Sequence, residues 1–350
     1  MPPKIPVTIL GATGTVGQKF VRLLADHPWF EIASVAASGQ SAGRLYGEVV
    51  RWREPVAIPE RVAALTVERA EPTLPGRIAF SAIEPDIAGE VEQAFARAGK
   101  YVVTNTRTHR MDPDVPLIVP EVNPDHLDLL RRQQRDRGWT GGIVANPNCS
   151  AAGLVLALAP LHRAFGVEKL FVATMQAVSG AGYPGVASLD ALGNVIPFIG
   201  GEEEKLESET RKILGRLEGA MVTDAAMRVS AHTNRVPVVD GHLEVVSAGF
   251  GRRVTPEEAI AALEAFRAPA EAAELPSTPA RPVEVDHRAD RPQSRLDLER
   301  GGGMTVTVGR VRPCSLLDVR LVLLSHNTIR GAAGAAIQNA ELLVRRGFLQ

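Results

Sequence analysis

The 350-residue sequence is poor in cysteine, in net charge and in long apolar runs, and each shortage excludes a class of protein. Its two cysteines, Cys149 and Cys314, are too few for a disulfide framework or a four-thiolate zinc site. A formal net charge of −1 gives no general attraction to nucleic acid or to a membrane surface. No run of about 18 apolar residues occurs, and the apolar run after the first residues is too short for a signal peptide. We therefore expect a cytoplasmic protein with free thiols and with neither a nucleic-acid nor a membrane partner.

The length and the order of apolar segments indicate an α/β protein of two domains. At 350 residues the chain exceeds the usual size of a single core. In its first half, short apolar runs alternate with helical periodicity, which is typical of a parallel sheet with crossover helices. The predicted strands are 7–10, 31–38, 77–83 and 101–105, and the predicted helices are 13–27 and 90–99.

The second half favours a more antiparallel domain. Longer strands are predicted at 169–179, 243–251 and 306–313. Thr255, Pro256 and Glu258 form a capping box, which predicts a helix over 255–268. The segment 268–303 is rich in Pro, Arg and Asp and has no apolar period, so we interpret it as an irregular excursion within the domain.

Three glycines, Gly11, Gly14 and Gly17, stand between the first predicted strand and the first predicted helix. Glycines at such a turn let the backbone approach a diphosphate, and the helix N-terminus supplies free N–H donors and positive potential. The spacing differs from the commoner G-x-G-x-x-G, and the alternative is a tight turn without a ligand. The position between strand and helix favours a dinucleotide site.

The end of the second predicted strand bears on the choice between NAD and NADP. An acidic residue there would bind the ribose 2′-hydroxyl and repel a 2′-phosphate, and this strand is followed by none. Ser38, Ser41 and Arg44 are the available partners and suit a phosphate, which favours NADP. The alternative is a polar loop with incidental serines.

Cys149 lies in the stretch NPNCSAAG, at the start of a predicted helix. The helix dipole and the free N–H groups favour a thiolate there, which predicts an activated nucleophile. Asn146 and Asn148 are candidate donors to an oxyanion. The alternative is a buried, inert cysteine, the role that we assign to Cys314. A nucleotide site upstream of a reactive thiol suggests hydride chemistry on an aldehyde through a thioester.

Arg235 and His242 flank a short apolar segment that includes the hairpin signal Asp240-Gly241. A guanidinium can clamp a carboxylate through two hydrogen bonds, and an imidazole can move protons near neutral pH. On spacing alone, a strand with a polar residue at each end is an equally good interpretation.

Six motifs occur in order over nearly the whole chain: GATGTVG, NPNCS, TMQAVSGAGYPG, GEEEKLESETRKILG, RVPVVDGH and LSHNTIRGAAGA. Together they resemble the aspartate-β-semialdehyde dehydrogenase family, in the branch found in archaea and fungi. The resemblance implies a Rossmann-type NADP-binding domain over 1–148 plus 327–350. It also implies an α+β catalytic and dimerisation domain over 149–326, like that of glyceraldehyde-3-phosphate dehydrogenase, in a homodimer or homotetramer.

The resemblance also implies roles for individual residues. Cys149 matches the nucleophile, His242 the acid–base and Gln176 the residue that positions the acyl intermediate. Substrate binding falls to Arg235 for a carboxylate, Glu202 for an amine, and Arg110 with Lys205 for phosphate. The cofactor residues are Gly11, Thr13, Gly14, Thr15, Val16, Gly17, Ser38, Ser41, Gly180 and Asn327, and a metal is not expected. Two positions depart from the family: Arg107 replaces a serine, and Gln40 stands where some relatives carry arginine.

The implied reaction is the reversible, NADPH-dependent reductive dephosphorylation of 4-phospho-L-aspartate to L-aspartate 4-semialdehyde, with phosphate as the second small-molecule partner. It belongs to the biosynthesis of the aspartate-family amino acids, including lysine, threonine and methionine. One alternative is a related acyl-CoA or carrier-bound acyl reductase, similar to malonyl-CoA reductase. Glu202 with Arg235 suits an α-amino acid and favours the first. A non-enzymatic NADP-binding protein is the third hypothesis.

Overall fold

The computed structural model describes residues 3–349, which form two six-stranded sheets, a two-stranded sheet and the helices that cover them. The strands are β1 (Ile5–Leu10), β2 (Phe30–Ala36), β3 (Val67–Glu68), β4 (Ile78–Ser81), β5 (Tyr101–Thr104), β6 (Gly142–Ala145), β7 (Val167–Gln176), β8 (Arg216–Glu218), β9 (Met221–Thr223), β10 (Arg228–Arg235), β11 (His242–Phe250), β12 (Val283–Asp286), β13 (Val306–Pro313) and β14 (Val319–Ser325). The helices are α1 (Thr15–Leu24), α2 (Tyr46–Val49), α3 (Glu60–Ala63), α4 (Pro85–Arg97), α5 (Leu129–Arg137), α6 (Cys149–Phe165), α7 (Ser188–Ala191), α8 (Glu202–Ile213), α9 (Pro256–Ala265), α10 (Ala270–Ala273), α11 (Ser294–Asp297) and α12 (Gly334–Arg345).

The first sheet is parallel throughout and has the strand order β3-β2-β1-β4-β5-β6. This order is that of a Rossmann fold, in which ligands bind outside the carboxyl ends of the strands. Four of its strands coincide with the strands predicted from the sequence, apart from one or more residues at their ends. The predicted Rossmann-type fold is confirmed.

The last helix, α12, packs on this first sheet although some two hundred residues separate it from β6 in the chain. Its residues Ala336, Ile337 and Ala340 lie in the same buried cluster as Val7 and Phe80 of β1 and β4. Helix α12 therefore belongs to the same hydrophobic core as β1 and β4.

The second sheet is mixed, with the order β10-β7-β11-β14-β13-β12. Its central pairs are antiparallel, and the outer pairs β10-β7 and β12-β13 are parallel. Helices α6, α8 and α9 contact its strands. Helix α9 begins with both bonds of the capping box that Thr255 and Glu258 predict. The prediction of a second, more antiparallel unit is confirmed.

Two local predictions are wrong. Asp240-Gly241 does not join a hairpin, because β7 lies between β10 and β11 and the segment 236–241 crosses its end. Val236 N–H donates to Gln176 O there, and Gly241 has a positive φ of 98°. The segment 268–303 is not irregular throughout, since its strand β12 extends the second sheet. The composition of this segment does not predict a strand, and β12 forms because its backbone pairs with β13.

A buried ion pair ties the loop after β5 to the turn that precedes α12. Both oxygens of Glu121 accept from Arg330, at 2.7 and 3.1 Å, and Gln338 adds a third bond at 2.9 Å. Arg330 is completely buried and also donates to Met304 O. No helix between residues 3 and 349 has the length and apolar character needed to cross a membrane.

We expect Glu121→Ala to lower the free energy of unfolding by about 3–5 kcal/mol, because the Arg330 guanidinium would remain buried without its counter-charge. Urea unfolding followed by tryptophan fluorescence measures the change. Glu60→Ala is the control, since Glu60 is an exposed residue at the start of α3. Equal stability of the two variants would show that the buried pair contributes nothing.

Candidate active site

A cavity of about 900 Å³ is lined by residues from the strand ends of the first sheet and by residues of the second. Of the residues singled out in the sequence, those that line it are Thr13, Gly14, Thr15, Val16, Ser41, Arg107, Arg110, Asn148, Cys149, Gln176, Gly180, Glu202, Lys205, Arg235 and Asn327. Within the described part of the chain, Gly11, Gly17 and Ser38 lie outside this lining. His242 is buried directly behind it, against Cys149.

The glycine turn joins β1 to α1 at one wall of the cavity. Gly11 has a positive φ of 78°, and a Cβ there would lie 2.4 Å from Ala82 O. A Cβ on Gly17 would lie 2.2 Å from Gly11 O, so this glycine lets α1 approach the turn. Gly14 precedes the first residue of α1, whose first turn carries no acidic side chain. The turn therefore presents positive helix potential to the cavity.

Ser38 and Ser41 occupy one turn after β2, but only Ser41 lines the cavity. Ser41 N–H donates to Ser38 O, and Ser38 itself is exposed. Gln40 and Arg44 are exposed as well and do not contribute to the lining in residues 3–349. Of the candidate partners for a 2′-phosphate that the sequence offers, the structure brings Ser41 alone to the cavity.

Cys149 is the first residue of α6, and Asn148 caps that helix. The Asn148 carboxamide oxygen accepts from Ser150 N and Ala151 N, at 2.9 and 3.3 Å. The Cys149 Sγ lies 3.1 Å from His242 Nε2 on β11. Sequence reasoning proposed a nucleophile and a proton partner that are 93 residues apart, and the fold brings them into contact.

The prediction that the helix dipole makes Cys149 a thiolate does not hold in this structure. Burial, and then the charge of Glu202, raise the pKa of the Cys149 thiol to about 12. Burial, and then Arg235, lower the pKa of His242 to about 3. Since desolvation disfavours each charged form, both groups are neutral near pH 7. Arg110 and Arg235 act in the other direction on the thiol.

The backbone fixes the orientation of the imidazole. Ala177 N–H donates to His242 Nδ1 at 3.1 Å. A ring nitrogen that accepts a bond carries no proton, so the neutral ring holds its proton on Nε2, the atom that faces sulfur. His242 is thus oriented as a proton donor toward Cys149.

The two asparagines of NPNCS differ as candidate donors to an oxyanion. Asn146 Nδ2 donates both of its hydrogens, to Asn105 Oδ1 and Ala332 O, and Asn146 lies outside the cavity lining. Asn148 lines the cavity, and its Nδ2 donates one hydrogen to Glu202 Oε2 at 2.7 Å. The second hydrogen of Asn148 Nδ2 has no partner in residues 3–349, so Asn148 keeps a donor for an oxyanion.

Three candidate residues form a row across neighbouring strands. Arg235 pairs with Gln176 across β10 and β7, and His242 follows on β11, where the next pair of the register is Leu243 with Met175. All three point to the same buried face because side chains alternate along a strand. Arg235 Nη1 donates to Ala177 O at 2.8 Å, which leaves its other donors for a ligand.

A second polar row lies one pleat further from the cavity. Thr233, Thr174 and Glu244 are neighbours on β10, β7 and β11, and all are buried. Both carboxyl oxygens of Glu244 lack a hydrogen-bond partner among residues 3–349. Burial raises the pKa of Glu244 well above its usual value, which favours the neutral carboxyl. Gln176 rests on this row through Thr174 Oγ1, at 3.4 Å.

Glu202 is the centre of a charged group at the start of α8. Its carboxylate accepts from Lys205 Nζ and Asn148 Nδ2, each at 2.7 Å, and from Gln176 Nε2 at 3.5 Å. Burial alone would raise the pKa of Glu202, but the bonds from Lys205 and Asn148 lower it below the usual value. Glu202 is therefore an anion within the cavity wall, and Lys205 is its partner.

Glu209, which sequence reasoning missed, connects the catalytic helix to the predicted phosphate site. Its Oε1 accepts from Arg110 Nη1 at 3.0 Å, and its Oε2 accepts from Asn148 N–H at 2.6 Å. Arg110 Nη2 donates to Asn105 O, while Arg110 Nε has no protein partner in the described chain. The signal in the sequence was the spacing of Glu202 and Glu209, which lie two helical turns apart and therefore on the same face of α8.

Asn327 joins the two halves of the cavity. Its carboxamide oxygen accepts from Gly241 N–H, and its nitrogen donates to Ser179 Oγ, each at 2.8 Å. The neighbouring Gly180 passes close to the reactive groups: a Cβ there would lie 2.9 Å from Arg235 Nη1 and 3.1 Å from His242 Cε1. Only glycine fits this position without displacing them.

A parallel sheet with a glycine turn and a mixed sheet with a thiol–imidazole pair define the chain as an oxidoreductase of the dehydrogenase type. Two family models match it: a semialdehyde dehydrogenase NAD-binding domain over residues 6–130, and a semialdehyde dehydrogenase dimerisation domain over residues 158–330. The chain belongs to the aspartate-semialdehyde dehydrogenase family, as relatives in archaea and fungi show.

The aspartate-semialdehyde dehydrogenase of Archaeoglobus fulgidus is 48% identical over 98% of this chain and 99% of its own. That of Schizosaccharomyces pombe is 45% identical, again over 98% and 99%. The crystal structure of the Candida albicans enzyme with NADP has a TM-score of 0.91 and 41% identity, covering 99% of this chain and 100% of that one. These similarities do not favour the acyl-CoA reductase alternative.

We expect Glu209→Gln to lower kcat/KM by about tenfold or more. A glutamine side chain has one accepting oxygen, so its NH2 group would point at a donor of either Arg110 or Asn148. Steady-state dehydrogenase assays measure the loss. Glu204→Gln, on the exposed face of the same helix, should leave the rate unchanged. Full activity of the Glu209 variant would mean that the bridge has no role in the site.

Proposed function

We propose that the chain carries out the reversible, NADPH-dependent reductive dephosphorylation of 4-phospho-L-aspartate to L-aspartate 4-semialdehyde through a thioester on Cys149. One observation carries the proposal. The Cys149 sulfur lies 3.1 Å from His242 Nε2, beside a cavity that is lined also by the glycine turn, Arg235 and Lys205. This combination suits hydride transfer to a covalently held acyl group.

The residues at the glycine turn fit a dinucleotide. The backbone of Thr13, Gly14, Thr15 and Val16 lines the cavity at the positive end of α1, where a diphosphate is stabilised. Gly180 and Asn327 line the same cavity as this turn and Cys149, and we assign the nicotinamide to them. When bound, NADPH supplies the hydride. The related Candida albicans enzyme was solved with NADP, which supports this cofactor.

In the acylation step the Cys149 sulfur attacks the acyl carbon of the phosphorylated substrate, and the thiol proton leaves with the phosphate group. A carbon–sulfur bond forms, and the carbon–oxygen bond to phosphate breaks. Arg110 and Lys205 line the cavity next to Cys149 and neutralise the departing phosphate. Arg110 has five N–H donors and donates two of them to Glu209 and Asn105 O, so donors remain for this anion.

In the reduction step the thioester collapses to the aldehyde and releases the Cys149 sulfur. The sulfur leaves as a thiolate, and the His242 N–H at Nε2, on the side of sulfur, stabilises it by donating a hydrogen bond. The bond from Ala177 N–H to Nδ1 keeps the ring proton on Nε2. In the reverse direction the same N–H donates to the sulfur as it attacks the aldehyde.

The two charged ends of an α-amino acid have partners in the cavity. Arg235 has donors left after its bond to Ala177 O and can clamp the α-carboxylate through two bonds. Glu202 is an anion and suits the α-ammonium group. Gln176, between them, positions the acyl carbon near Cys149. A substrate without the amine would leave Glu202 without that partner, which supports an amino-acid substrate.

The domain division and the assembly are proposals as well. We infer that residues 1–148 with 327–350 form the cofactor-binding unit and that 149–326 form the catalytic and dimerisation unit. The packing of α12 on the first sheet supports this division. The match to a dimerisation domain supports a homodimer, with a homotetramer as its larger form. Two free thiols suit the reducing cytoplasm.

We expect Cys149→Ala to lower turnover by at least about a thousandfold and to leave NADP affinity nearly unchanged, because only the nucleophile is lost. NADPH absorbance follows the reaction of semialdehyde, NADP and phosphate, with each component omitted in turn. Calorimetry measures NADP binding. A variant that kept most of the activity would exclude covalent catalysis by this thiol.

We expect Lys205→Ala to raise the KM for phosphate more than the KM for the semialdehyde, and Arg235→Lys to do the opposite. Lysine attracts phosphate as a point charge, whereas the carboxylate needs the planar fork of arginine. Lys4→Ala is the control, because Lys4 lies outside the cavity lining. Equally fast acylation with coenzyme A in place of phosphate would contradict the proposed acyl partner.

A further inference from the structure

The loop after α2 places two arginines on the cavity wall that sequence reasoning did not consider. Arg51 and Arg53 line the cavity and are exposed, while Trp52 between them is half-buried and packs on the core of the first sheet. Both guanidinium groups contact the ring of Tyr183, so they lie on the same side of this segment.

Gln18 attaches this segment to the glycine turn. Gln18 is buried in the first turns of α1, and its carboxamide nitrogen donates to Thr13 O at 2.9 Å and Arg51 O at 3.1 Å. Its oxygen accepts from Arg53 N–H at 2.8 Å. Because one side chain bonds to both segments, the two arginines lie next to the turn that we propose for the diphosphate.

Both arginines lack a carboxylate partner in the described chain. The nearest acid in sequence, Glu54, is already paired with Lys19 at 2.9 Å and with Arg22 at 3.0 Å. Across the cavity, Tyr183 contacts both groups: Arg53 Cζ lies 3.3 Å from the centre of its ring and Arg51 Cζ 5.3 Å. Two positive charges are therefore held side by side at the cavity wall by a neutral ring.

We propose that Arg51 and Arg53 bind a phosphate group of the nicotinamide dinucleotide. Arginine recognises phosphate through two parallel hydrogen bonds, and a pair of arginines without counter-charge favours a doubly charged anion. The substrate carboxylate is a poorer candidate, because Arg235 beside Cys149 already serves it. The inference rests on the proposed function and names a specificity determinant of its cofactor site.

Two phosphates of the cofactor share this chemistry, the central diphosphate and the 2′-phosphate, and NAD carries only the first. The test measures the dissociation constants of NADP and NAD by calorimetry, with no substrate present. It compares the wild-type protein with Arg51→Gln/Arg53→Gln. Arg97→Gln is the matched control, since Arg97 is an exposed arginine at the end of α4, next to the amino end of β5.

The double variant should bind NADP about tenfold or more weakly, as expected for the loss of charge-assisted hydrogen bonds, and the control should bind as the wild type does. An equal loss for NAD assigns the arginines to the diphosphate. A loss for NADP alone assigns them to the 2′-phosphate. NADP affinity within about twofold of wild type would overturn the inference and leave the proposed function intact. Failure of the wild-type protein to bind either dinucleotide would overturn both.

Discussion

The hydrogen bonds of Asn148 are the interaction on which the rest of the site depends. The side-chain oxygen starts helix α6, and the side-chain nitrogen holds Glu202. The backbone N–H binds Glu209, which in turn holds Arg110. One residue therefore sets the position of the thiol that follows it, of Glu202, which we propose for the amine, and of Arg110, which we propose for phosphate. A change at Asn148 would move all three together.

Burial keeps charge off the reactive pair and on the residues around it. Cys149 and His242 are neutral, whereas Glu202 is charged and Lys205, Arg110 and Arg235 surround the same cavity. A neutral thiol is a poor nucleophile, so the proton must leave sulfur when the substrate is in place. In the proposed acylation step that proton leaves with the phosphate.

The sequence predicted most of the fold, and most of the site residues that it predicted line the cavity, because alternating apolar segments and six ordered motifs are local signals. It did not predict contacts that depend on strand order. The Asp240-Gly241 signal is a real turn, yet β7 inserts between its flanking strands. The prediction of a Cys149 thiolate failed because the sequence pattern shows that the residue begins a helix but does not show that the helix end is buried. Ser38 was predicted as a cofactor residue because it is near Ser41 in the sequence, but it lies outside the cavity lining. Arg53, from the loop after α2, lines the cavity instead.

The reactive groups come from two sheets, and buried polar contacts fix their relative position. Asn146, at the end of the first sheet, bonds to Asn105 and to Ala332 O, and Arg330 in the same turn bonds to Glu121. Gly331, which lies between Arg330 and Ala332 in the sequence, packs closely on Cys149. A Cβ on Gly331 would lie 2.7 Å from the cysteine Cβ. The turn before α12 therefore touches the thiol on one side and is held by buried hydrogen bonds on the other. Since such bonds are directional and costly to leave unmade, they hold the spacing between glycine turn and sulfur more tightly than apolar packing alone.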